Sequence, residues 1–127
     1  MEITFPGGVA VEACFADFSV RTDQPVAYGG QNSAPAPFDL FLASLGTCAG
    51  LFVLLFCQER ELPTEGLRLT LATERDTERH RLSKVRIAIH LPPAFPEKYR
   101  RAVIRAANQC SVKRAILDPP EFEVVTI

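Results

Sequence analysis

The chain has 127 residues, a net charge of −1 and 47% apolar content, which fits one domain over residues 1–127 with its own core. The near-neutral charge argues against a partner that is nucleic acid or an anionic membrane surface. Cys14, Cys48, Cys57 and Cys110 stand 34, 9 and 53 residues apart, with no CxxC pair, so neither a structural metal site nor a cofactor is expected.

The opening stretch MEITFPGGVAVEACF lacks a basic segment followed by an apolar run. No signal peptide is expected, and scattered cysteines then suit a reducing cytoplasm. Residues 2–21 read as short strands broken at Pro6-Gly7-Gly8 and near Asp17. Val9, Val11, Ala13 and Phe15 alternate with Ala10, Glu12 and Cys14, the period of a half-buried strand. Residues 22–37, rich in Pro, Gly, Asn and Ser, predict a loop.

Residues 38–60 predict a long helix. From Leu40 to Cys57 there are 18 residues without a charge, long enough to raise a membrane-spanning alternative. Ala43, Ser44, Gly46, Thr47, Ala49 and Gly50 lower its apolarity and let another backbone approach. A helix apolar all round also suits the centre of a soluble core, and the amphipathic strands around it need a cover. A buried helix, with no membrane, is the expectation.

Leu67, Leu69 and Leu71, then Val85, Ile87, Ile89 and Leu91, alternate with mostly polar residues across the charged stretch ERDTERHR. They predict an antiparallel hairpin packed on one face. Pro92-Pro93 ends it. Pro96-Glu97 opens a second helix whose apolar stripe runs Tyr99, Val103, Ala106, Ala107, Cys110. Residues 111–117 predict a turn or short helix, and EFEVVTI a last strand. This order gives an α+β fold in which helices cover an antiparallel sheet.

No GxSxG, Walker loop or HExxH is present. The run Arg100, Arg101, Arg105, Lys113 and Arg114 reads as a solvated helix face. Cysteines remain. Cys48 lies in GTCAG within the long helix, and Cys57 is nine residues on, half a turn out of phase. Each taken alone is more often a small buried hydrophobe than a nucleophile.

The stretch DQPVAYGGQNSAPAPFDLFLASLGTCAG resembles the signature of the OsmC/Ohr family, and the later C-[PS]-V segment of that family is present as QCSVKRAI. The resemblance spans residues 22–117 and is similar to the broader OsmC-like branch. It implies an OsmC-like fold, an antiparallel sheet wrapped around a long central helix, in an interlocked homodimer. It implies, as in peroxidatic members, thiol-dependent reduction of organic hydroperoxides, with Cys48 peroxidatic, Cys110 resolving, and an external thiol or dithiol as reductant. Those members hold an arginine near the thiolate, oriented by a glutamate ten residues before the first cysteine. Here Phe38 occupies that place and Asp39 follows it. Arg21 is the only Lys or Arg in the first 59 residues. Arg21 and Asp39 are therefore the candidates for those two roles, with helix-start chemistry as the other reading of Asp39. The missing glutamate leaves two alternatives: a non-catalytic module binding a small apolar ligand, or a redox switch.

Overall fold

Tight turns set the first sheet. Gly8 at φ +59° and Ala16 at φ +48° reverse the chain between β1 (Glu2–Gly7), β2 (Ala10–Phe15) and β3 (Phe18–Thr22). The strands form an antiparallel meander in the order β1-β2-β3, with Glu12 directly opposite Arg21. The computed structural model describes residues 1–127. It divides into two units, Met1–Ala43 and Ser44–Ile127. Ala10 is buried in the first sheet, whereas Ile3, Phe5 and Phe18 are exposed.

The loop after β3 is organised around one carboxylate. Asp23 is buried and accepts from the backbone N–H groups of Gln24, Gln31 and Ser33 and from the Ser33 hydroxyl, at 2.7–3.1 Å. These donors, the Ser33 hydroxyl foremost, hold its carboxyl well below the usual carboxylate range. The double glycine has a steric cause. Gly29 sits at φ +84°, and a Cβ on Gly30 would lie 1.8 Å from the Gln24 carbonyl oxygen.

Helix α1 (Pro37–Gln58) has 22 residues. Pro37 suits its first position because that N–H has no partner in any helix. Asp39 Oδ2 accepts from the Ala36 N–H at 3.0 Å, the carboxylate half of a capping box. The helix passes from the first unit into the second. Leu45, Ala49, Val53 and Cys57 are buried at four-residue intervals, but Leu51, Leu54 and Leu55 are 40–51% exposed. Within one chain, then, α1 is buried along a stripe and not all round.

The second unit adds the hairpin β4 (Arg68–Asp76) and β5 (Arg81–His90). Leu69 faces Ile89 and Leu71 faces Ile87 across it. Its tip is shorter than the charged run suggested, because Asp76 Oδ2 draws in Arg79 and Arg81 at 3.9 and 3.8 Å. Val53, Cys57, Phe95 and Val103 form the core cluster, flanked by Leu69 and Ile89. The last helices are α2 (Arg100–Ala107) and α3 (Ser111–Leu117).

Three expectations are corrected. Instead of one antiparallel sheet there are two, of three and two strands. EFEVVTI forms no strand, because a strand needs a ladder partner and residues 121–127 find none in their own chain. Cys110 does not end the stripe of α2. That helix stops at Ala107, and Cys110 at φ −46°, ψ 114° caps α3.

Gly30→Ala should cost about 1–3 kcal/mol, since a backbone oxygen must move to admit the methyl. Thermal melting checks it, and an unchanged midpoint contradicts it. The stabilisation that comes from the heightened acidity of the Asp23 carboxyl is complete above about pH 4, near its unfolded value, and is lost as the pH falls below that. Asp23→Asn should flatten acid unfolding over that range, as followed by circular dichroism.

Candidate functional site

The start of α3 meets one face of α1. Cys110 is buried, at 1% exposure. Its sulfur accepts from the Lys113 N–H at 3.4 Å, closing the first turn of α3, and its thiol donates to the Leu45 carbonyl at 3.9 Å. Three residues beyond Leu45, on the same face of α1, stands Cys48. Its sulfur lies 3.6 Å from the Ser111 hydroxyl oxygen. Cys48 is half-buried.

The two sulfurs are driven in opposite directions. The Val112 N–H, above all, brings the Cys48 thiol down from 9.0 to about 7, against the opposing effect of burial. The Cys110 thiol, the Ser111 hydroxyl and the Ser111 N–H act in the same downward sense. Burial pushes the Cys110 thiol up, and its contact with Cys48 adds to the rise. Cys57, the cysteine out of phase with Cys48, is fully buried in the core, and burial raises its thiol too. At neutral pH the site therefore holds one readily ionised thiol touching one reluctant thiol.

Beside this pair lies a mostly apolar hollow of about 480 Å³. Its wall includes Leu45, Ile87, Ile89, Val103 and Cys110, with Arg100 and Lys113 as its cations. Cys110, not Cys48, borders it. No cluster of three or more His, Cys, Asp or Glu side chains that could hold a metal is present.

The other sequence candidates lie in the first unit. Arg21 is exposed on β3, opposite Glu12, and borders a small hollow with Asp23, Gly29 and Gly30. Asp39 is engaged at the start of α1. The groups in contact with Cys48 are instead the Cys110 thiol and the backbone amides and hydroxyl of residues 111 and 112. Sequence reasoning missed Ser111, although a hydroxyl residue directly after Cys110 was the available signal. Backbone amides leave no signal in side-chain chemistry.

Residues 30–125 match the family model of OsmC-like proteins. No curated protein matches the chain. Among solved structures, one from Psychrobacter arcticus 273-4 is described as an osmotic stress induced and detoxification response protein. It is similar at TM-score 0.76 and 23% identity, covering 90% of this chain and 85% of that one. An organic hydroperoxide resistance protein OsmC from Legionella pneumophila is similar at TM-score 0.59 and 18% identity, covering 91% and 85%. At these identities the likeness shows the fold.

Peptide-resolved alkylation across pH tests the acidity split. Cys48 should label with a midpoint near 7, and Cys110 and Cys57 only above the ordinary thiol range. Equal midpoints for all three would contradict it.

Proposed function

Since the chain belongs to the OsmC-like family, we propose that it reduces organic hydroperoxides through Cys48 and Cys110, in defence against oxidative stress in the cytoplasm. One observation carries this: Cys48 and Cys110 meet where the start of α3 abuts α1, the Cys48 sulfur 3.6 Å from the Ser111 hydroxyl and Cys110 buried against Leu45, where donors lower the first thiol and burial raises the second. The thiolate is the nucleophile, so Cys48 reacts first. It attacks the terminal peroxide oxygen, the O–O bond breaks, and the alkoxide leaves as an alcohol after taking a proton. Cys48 becomes a sulfenic acid. The Cys110 sulfur then displaces the hydroxyl, which leaves as water with the Cys110 proton, and a Cys48–Cys110 disulfide forms. An external thiol or dithiol restores both thiols by exchange. The apolar hollow beside the pair favours bulky organic peroxides over hydrogen peroxide.

A stoichiometric dose of cumene hydroperoxide should lower the intact mass by about 2 Da and yield a Cys48–Cys110 peptide. Cys48→Ser should abolish turnover, and Cys110→Ser should stop at the sulfenic acid. Both thiols remaining free after the dose would refute the reaction.

A second reading rests on the hollow bordering Cys110 rather than Cys48. A non-catalytic module would hold a small apolar ligand there. Co-purified ligand together with an inert Cys48 would favour it over the peroxidase. A redox switch would oxidise the same pair, yet no reductant would sustain repeated cycles.

The working form is proposed to be a homodimer. Leu51, Leu54 and Leu55 on α1, Phe5 and Phe18 on the first sheet, and Phe122 and Val124 in the last residues are all exposed in one chain. By length and composition α1 could also cross a membrane. A detergent-free preparation whose mass by light scattering is that of two chains is the expected result. A monomer at micromolar concentration, or a chain found only in detergent extracts, contradicts it.

A further inference from the structure

Ser111 opens α3, and its side chain is exposed. It borders a shallow open hollow with Arg114, Ala115 and Asp118, while its hydroxyl oxygen lies 3.6 Å from the Cys48 sulfur. A hydroxyl can accept from a thiol or donate to a thiolate. Once Cys48 ionises only the second is possible, because a thiolate sulfur has no proton to give. The α1 segment carries no charge besides Asp39, so no cation on that helix competes for the sulfur. Lys113 and Arg114 lie on α3, with the Lys113 ammonium donating to the Asn108 side chain. The titratable group in contact with Cys48 is Cys110. Position 111 is the variable place of the C-[PS]-V segment. A proline there would offer neither hydroxyl nor N–H, whereas serine offers both.

We infer that Ser111 is a positioning residue for Cys48, its hydroxyl donating to the thiolate and fixing that sulfur against the start of α3. It supplies from a neutral side chain the stabilisation for which Phe38 leaves no orienting carboxylate. The inference rests on Cys48 reacting as a thiolate, and it predicts that the hydroxyl at position 111 adds to the main-chain donors, the Val112 N–H foremost, in stabilising that thiolate.

Three variants separate the contributions. Ser111→Ala removes the hydroxyl. Ser111→Thr keeps it. Ser111→Pro removes hydroxyl and N–H together, yet suits the first position of a helix, and the extended ψ of 114° at Cys110 already accommodates a following proline. The readout is the pH midpoint of iodoacetamide labelling at the Cys48 peptide, with the melting temperature as a control on folding. Ser111→Ala should raise the midpoint by about half to one unit, Ser111→Thr should restore it, and Ser111→Pro should raise it furthest. A Ser111→Ala midpoint equal to that of the unaltered chain, or a threonine variant behaving like the alanine one, overturns the inference. No peroxide enters this assay. Failure to reduce a hydroperoxide would therefore refute the peroxidase reading while leaving the role of Ser111 to be decided by the midpoints.

Discussion

Burial alone would leave both thiols protonated at neutral pH. What separates them is the seating of the first turn of α3 against one face of α1. Cys110 gives its sulfur to the cap of α3 and packs against the Leu45 carbonyl of α1. That contact aims the amides of residues 111 and 112 at Cys48. Donors around a half-buried sulfur stabilise its anion, and burial around the other sulfur keeps it neutral. The same few residues thus decide the helix start, the tertiary contact and the difference in acidity between the two thiols.

The exposed apolar side chains are the second constraint. A soluble chain seldom leaves this many large hydrophobic residues in water. In the first unit they lie on a three-stranded sheet, and in the second on one side of α1 and in the last residues. The proposed second copy of the chain would cover all three at once.

Much of this was legible in the sequence because it follows from local chemistry. Pro6-Gly7-Gly8 and the alternation of residues 67–91 mark strands and turns, and the apolar run expected to be helical from residue 38 begins within a residue of the start of α1 at Pro37. The double glycine read only as a motif, and the structure gives its cause, the Gln24 carbonyl at Gly30 and the positive φ of Gly29. Other features depend on long-range packing and were not legible. Periodicity carried Cys110 onto α2, because its spacing from Tyr99 fits a helix, but backbone torsion at Cys110 begins a new one. EFEVVTI has strand composition without an intrachain partner. The stabilisation of Cys48 was sought in Arg21 and Asp39, since charged side chains are visible in a sequence. The foremost donor in contact with it is a main-chain N–H, that of Val112, a group which every residue but proline has.

The central claim is that the Cys48 thiolate is the group that meets the hydroperoxide. Single-turnover consumption of cumene hydroperoxide, followed by stopped flow across pH in the reduced protein, tests it most directly. The rate should climb with ionisation of Cys48, with a midpoint near 7, and vanish in Cys48→Ser. A rate that is independent of pH through that range, or that survives the loss of Cys48, would contradict it.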